Sequence, residues 1–180
     1  MDPDKKAKLL SERAFLGFPP EDFERGGREQ FIYMLNSGLS PDSKVLDIGC
    51  GVLRAGYWLI RLLDAGCYCG IEPHAGRLEM GINTFLDSET LANKRLRFDN
   101  NPHFDASVFG EKFDFLLAYS IWTHASKSQI QALLDSFVRD SKDTGVFLTS
   151  YLPAGEINPD YEDDGWKGTI HESVTSRGGR

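Results

Sequence analysis

No run of apolar residues in this chain approaches the ~18 that would cross a bilayer, and the first ten residues are charged, without the apolar core of a secretory signal. A cytoplasmic chain with no membrane partner is the expectation. Cysteine is scarce: Cys50, Cys67 and Cys69 are the three in 180 residues. They form no metal-type quartet, and an odd count suits a reducing compartment, so neither a metal nor a disulfide framework is expected. A basic excess is missing too, with 20 Lys and Arg against 27 Asp and Glu and a net charge of -7. Proteins that hold polyphosphate by counterion release carry a basic face, so no nucleic-acid partner is expected. Repeats and low-complexity tracts are also absent. What remains is an ordinary globular composition, 41% hydrophobic and 26% charged, in a length that suits one domain with a real core.

The chain opens with two helical stretches, residues 1–16 and about 25–37, separated by Gly17-Phe18-Pro19-Pro20 and closed by Gly38. The pattern then changes. Lys44-Val45-Leu46-Asp47-Ile48 is a short apolar run typical of a strand buried on both faces. Further strands are expected at residues 67–71, 96–98, 113–119 and 145–151. Between them lie helical faces: Ala55, Leu59, Leu62 and Leu63; then Leu78, Ile82, Phe85 and Leu86; then Ile130, Leu133, Leu134, Phe137 and Val138, with Ser126 or Ser128 as the cap. Strands alternating with crossover helices predict an α/β fold, a mostly parallel sheet covered on both sides.

The informative segment is Asp47-Ile48-Gly49-Cys50-Gly51, where the first strand ends in a glycine-rich turn that leads into a helix. Such a turn lets backbone approach a ligand closely and offers unpaired N–H groups. Glu72 ends the next strand, 21 residues after Gly51, where a carboxylate can accept hydrogen bonds from both ribose hydroxyls. A glycine turn by itself is equally a tight strand–helix connection. Turn and acid together specify a nucleoside-containing ligand.

These residues resemble motif I of the class I (Rossmann-like) S-adenosylmethionine-dependent methyltransferases, Asp/Glu-x-Gly-x-Gly, over roughly residues 25–152. Phe113-Asp114-Phe115-Leu116-Leu117-Ala118-Tyr119-Ser120 looks like that family's fourth strand, and Ile121-Trp122-Thr123-His124 like its ending in small-molecule members. The resemblance implies a sheet of order 3-2-1-4-5 and S-adenosylmethionine as cofactor, with S-adenosylhomocysteine as product. It implies that Gly49, Cys50 and Gly51 line the cofactor through backbone, that Asp47 tethers the turn and that Glu72 holds the ribose. Asn100, Asn101 or Asp105 would lie near the adenine, and Tyr119 and Ser120 would border the sulfonium. Arg54 would bind the cofactor carboxylate or else point to solvent; Arg25 and Arg28 are its rivals. His124 is either a general base for a hydroxyl or amine acceptor or a structural histidine. His74 would sit at the adenine rim, and Trp122 and Tyr119 either flank the sulfonium or pack in the core.

The acceptor follows by elimination. The place after the fourth strand reads Tyr119-Ser120-Ile121-Trp122, not the Asn/Asp-Pro-Pro-aromatic run of nucleic-acid amino methyltransferases, and no paired-glutamate loop is present. A small-molecule oxygen or nitrogen is what is left. Two rival readings are a nicotinamide-dependent oxidoreductase, using the same turn and acid, and an inactive cofactor-binding fragment. The second arises because the family finishes with a helix and an antiparallel hairpin, which the 29 residues after Tyr151 are too few to supply. The organisation expected is a helical cap (1–44), a cofactor-binding core (45–152) and a truncated tail (153–180) with one short strand at residues 166–174. The fifth strand would then be an edge, covered by the tail or by a second chain in a homodimer.

Overall fold

The structure of the protein is a computed structural model that describes residues 1–13 and 16–153. Five strands form one parallel sheet: β1 (Val45–Ile48), β2 (Tyr68–Ile71), β3 (Arg97–Asp99), β4 (Phe113–Ala118) and β5 (Ser141–Thr149), in the order β3-β2-β1-β4-β5. This is the α/β class and the strand order implied by the motif. The helices are α1 (Pro3–Ser11), α2 (Phe23–Asn36), α3 (Gly56–Leu62), α4 (Ala75–Phe85), α5 (Ser88–Lys94) and α6 (Lys127–Asp140). None among the described residues is long and apolar enough to cross a membrane.

Each central strand is buried on both faces, which is why β1, β2 and β4 read as continuous apolar runs. Val45, Tyr68, Phe115 and Leu117 turn to one side and pack with Met34 of α2 and Leu59 of α3. Leu46, Ile48, Leu116 and Ala118 turn to the other side, against Leu133 and Phe137 of α6. A third cluster joins the N-terminal segment to the body: Ala7, Leu10 and Phe23 pack with Val52 and Phe85, whose ring stacks on Phe23 at 4.0 Å. Lys6 Nζ adds a hydrogen bond to the Thr84 carbonyl of α4.

Helix ends follow local chemistry. Ser126 caps α6 in a reciprocal box with Gln129, and Gly38, at φ +97°, ends the turn after α2. The apolar face expected on α6 is narrower than its sequence suggests. Val138 is exposed, and the buried positions are Leu133, Ser136 and Asp140, with Asp140 accepting from the Ser136 hydroxyl and from Arg139. The fifth strand is also shifted. It starts at Ser141, directly after α6, slips through an irregularity between the Phe113 and Phe115 pairings and stops at Thr149. Gly145 lies in that irregularity, where an added Cβ would come within 2.7 Å of Ser141. Helix α5 lacks a wide apolar face and went unforeseen; the Asp87 cap, accepting from Thr90 N–H, starts it. The strand expected at residues 166–174 lies outside the described residues.

Candidate functional site

Parallel α/β sheets bind ligands beyond the carboxyl ends of their strands, at the point where strand order reverses. Here that point lies between β1 and β4, and a cavity opens there. About 170 Å³ is available in it, more than ten times what one bound water needs, so it has room for an organic ligand.

The floor is the turn after β1. Gly49 and Gly51 both take positive φ, +69° and +55°, a conformation with a steric cost for any residue bearing Cβ. Gly49 N–H and Cys50 N–H donate to the Ile71 carbonyl at the end of β2, at 2.8 and 3.0 Å. Gly51 N–H donates to Glu72 Oε2 at 3.0 Å. Glu72 is 3% exposed; its Oε1 accepts from His74 N–H at 3.0 Å and lies 3.9 Å from Arg77 Nη1. The tether expected of Asp47 is therefore supplied by Glu72. Asp47 instead accepts from the Tyr68 hydroxyl at 2.8 Å beneath the turn. Burial raises its carboxyl to about 7, against the opposing effect of the Tyr68 hydrogen bond, and the nearby Glu72 adds to the rise.

Of the residues expected at the site, Asp47, Gly49, Cys50, Gly51, Arg54, Glu72, Tyr119, Ser120 and His124 all line this cavity. Asn100 and Asp105 are not among its lining residues. The Asn100 side chain donates to the Glu72 carbonyl at 2.7 Å and so braces the acid from behind. Asp105 turns away, capping the 3-10 turn Ala106–Phe109 and pairing with Arg139 of α6. Asn101 bridges that loop, donating to Asp99 and accepting from Asp105 N–H. The neighbour of Asp105, Phe104, reaches the cavity instead, at φ +52°.

Arg54 is not a solvent-exposed residue. Its guanidinium donates to the Asp22 carbonyl at 2.7 Å and lies 4.4 Å from the centre of the Phe18 ring, holding residues 18–22 beside the cavity that Phe18 lines. Gly26 and Gly27 leave room for it on α2: a Cβ at Gly26 would overlap the guanidinium, and one at Gly27 would lie 2.2 Å from the Arg54 carbonyl oxygen. Arg25 pairs with Asp22 and Arg28 with Glu24, and neither lines the cavity. His74 caps α4 by accepting from Arg77 N–H through Nδ1 at 3.1 Å. Trp122 packs edge-on to Phe147 at 5.7 Å, as a core residue does. The Cys50 thiol, enclosed and near Asp47 and Glu72, is pushed well above its ordinary range and kept unreactive.

Several lining residues carried no signal in the sequence: Leu16 and Phe18 from the cap, Gln30 of α2, and Phe104. They come from segments far apart in the chain and meet only through the packing of α1 and α2 on the sheet. Arg77 could have been found, since it lies one helical turn after Glu72-Pro73-His74 and beside the acid.

No family model matches the chain, and no curated protein matches it. Solved structures do. The glycopeptide N-methyltransferase MtfA, complexed with S-adenosyl-L-homocysteine, superposes with a TM-score of 0.57 at 18% identity, over 73% of this chain and 54% of its own. DhpI in its SAH complex gives 0.56 at 14% identity, over 80% and 62%. The N-methyltransferase NodS from Bradyrhizobium japonicum WM9 gives 0.55 at 16% identity, over 71% and 67%. The chain thus spans between about half and two thirds of the length of these proteins. With its 3-2-1-4-5 sheet and its glycine turn at the switch point, this chain has the Rossmann-like fold of the class I S-adenosylmethionine-dependent methyltransferases.

Proposed function

We propose that the protein transfers a methyl group from S-adenosylmethionine to an oxygen or nitrogen of a small molecule. The observation that carries this reading is Glu72. Its carboxylate is fixed on the cavity wall by Gly51 N–H and His74 N–H, in the position of a ribose acid, with the apolar Phe104 and Ile121 lining the same cavity. The rest of the cavity fits the remaining parts of the cofactor. Asp47 and Glu72 suit a cationic ligand, Arg54 and Arg77 suit its carboxylate, and Leu16 and Phe18 limit the access of water.

When bound, the cofactor supplies an electrophilic methyl on a cationic sulfonium. The residues of the chain align and dehydrate the reacting pair. Tyr119, Ser120 and His124 follow β4 and line the cavity, and Ser120 N–H donates to Ser150 Oγ at 2.7 Å, tying that loop to the end of β5. A hydroxyl or amine acceptor must lose a proton, and the presence of His124 among the cavity-lining residues supports a role for its imidazole as the base. A second groove adjoins at Gln30 and Tyr119, with Tyr33, Asn36, Leu148 and Ser150 on its walls and no charged side chain among its described lining residues. This favours an uncharged acceptor approaching from that side.

Thermal-shift titration tests the cofactor, with S-adenosylhomocysteine raising the melting temperature and NAD leaving it unchanged. The reverse result favours a nicotinamide enzyme. Transfer of labelled methyl from S-adenosylmethionine to a panel of neutral hydroxy and amino compounds tests the reaction. His124→Ala is expected to lower turnover by about a hundredfold while S-adenosylhomocysteine still binds. Equal losses in both would make His124 structural.

A further inference from the structure

We propose that Asp47 is the residue by which this cavity distinguishes the cationic methyl donor from its neutral thioether product, giving up a proton as the donor enters. The inference rests on the cofactor reading above and assigns Asp47 a role other than tethering the turn.

The geometry sets Asp47 apart from the second carboxylate of the cavity. Both are nearly inaccessible, Asp47 at 4% and Glu72 at 3% exposure. Glu72 is compensated by two backbone N–H groups and by Arg77. Asp47 is given one hydrogen bond among the described residues, from the Tyr68 hydroxyl. Its strand neighbours offer no charge, being Gly70 on β2 and Leu117 on β4. The titratable groups around it are Tyr68 of β2, Cys50 of the turn and Glu72; Arg54, Arg77 of α4, Tyr119 and His124 share the cavity wall, as does the neutral Gln30 of α2.

Burial and a neighbouring carboxylate both favour the protonated form of an acid. They raise Asp47 to about 7 in the protein, where a small change of environment alters its charge near neutral pH. Donor and product share the adenosine, the ammonium and the carboxylate, and differ in the sulfonium methyl and the positive charge that comes with it. The additional positive charge of the donor in the cavity draws the Asp47 proton off; the product, which brings only the shared ammonium, does so less. Above about pH 7 the carboxylate is already formed, and the donor is preferred. Below it, a proton competes with the donor more than with the product, and the preference fades. The consequence for turnover is release of product governed by charge.

Isothermal titration calorimetry with S-adenosylmethionine and S-adenosylhomocysteine, at pH 8 and pH 6 in buffers of different ionisation enthalpy, reads both affinity and protons exchanged. At pH 6 the donor should release more protons than the product. The ratio of product to donor dissociation constants should fall about fivefold from pH 8 to pH 6, the effect of a one-unit fall of the Asp47 pKa on ligation. Asp47→Asn should give a low ratio with no pH slope. Tyr68→Phe, which removes the one donor favouring the carboxylate, should move the transition to higher pH. Equal proton release by both ligands, or an unchanged slope in Asp47→Asn, overturns the inference while leaving the cofactor reading intact. Failure of the wild-type protein to bind either ligand overturns both.

Discussion

At the scale of single residues, the site is built around two acids with different surroundings. Glu72 holds backbone as well as facing the cavity, and this changes what its removal should do. From the sequence, Glu72→Ala would cost ligand affinity alone. In the structure it also strips the acceptor from Gly51 N–H and His74 N–H, and a buried polar group left without its partner is costly. Glu72→Ala should therefore weaken S-adenosylhomocysteine binding by about 2–3 kcal/mol and lower folding stability by roughly 1–3 kcal/mol. Calorimetry and denaturant titration of the same variant check the two halves, and a loss of affinity with unchanged stability would deny the bracing role. Gly49 carries a similar lesson. A Cβ there would come within 2.2 Å of Ile121 Cδ1, so the space beside it is taken up in part by a side chain of the loop after β4.

At the scale of elements, the glycine turn is positioned from outside. Helix α4 packs so closely on it that a Cβ at Gly81 would lie 2.6 Å from Val52 Cα and 2.7 Å from its carbonyl carbon. Both obstacles are backbone, so neither can rotate away. On helix propensity alone Gly81→Ala gains about 1 kcal/mol; overpacking against a fixed backbone typically costs 1–3 kcal/mol. The second effect should prevail because α4 cannot retreat without losing the burial of Leu78 and Phe85. Gly81→Ala is expected to lower the melting temperature and, by moving the turn, to weaken S-adenosylhomocysteine binding. A melting temperature at or above that of the wild type would show that the helix and turn are not in rigid contact. On the opposite side of the turn, Arg54 and the two glycines Gly26 and Gly27 fix α2, so two helices from distant parts of the chain clamp one loop.

At the scale of the whole molecule, the sheet has an edge at β5. Among the described residues this strand pairs with β4 alone. Lys142 and Asp143 lie exposed in its first half, and such charges discourage edge-to-edge pairing. Val146, Phe147 and Leu148 in the second half are half-buried and carry no such guard. The sequence reading started this strand at Gly145 and therefore missed its charged beginning. Unpaired backbone groups in a half-buried strand are unfavourable, so the second half is expected to gain a cover, from elsewhere in this chain or from a second copy about a two-fold axis. Hydrogen exchange across a dilution series separates the cases. Slow exchange at every concentration means intramolecular cover, and slow exchange only when concentrated means association. Fast exchange throughout, with a monomer in solution, would refute both.

The sequence by itself determined the fold class, the strand order implied by the motif and much of the cavity floor. Each depends on local pattern: short apolar runs for buried strands, a 3.6-residue spacing for helices, and a glycine turn with an acid on the next strand. Asp47, Gly49, Gly51, Glu72, Tyr119 and Ser120 were legible because they lie at or next to strand ends, whose position in a parallel sheet is fixed by the pattern itself; His124 lies in the turn that follows β4. Only the tertiary structure decided which partner each side chain takes. It gave the turn to Glu72 and left Asp47 to Tyr68, bent Arg54 onto the Asp22 carbonyl, and put Phe104 where Asp105 was a candidate. The physical reason is that these choices turn on close approach between segments 21 to 34 residues apart. Such contacts leave no periodic trace, because one hydrogen bond or one ring contact satisfies them, whereas a buried strand or helix face needs apolar residues at every repeat.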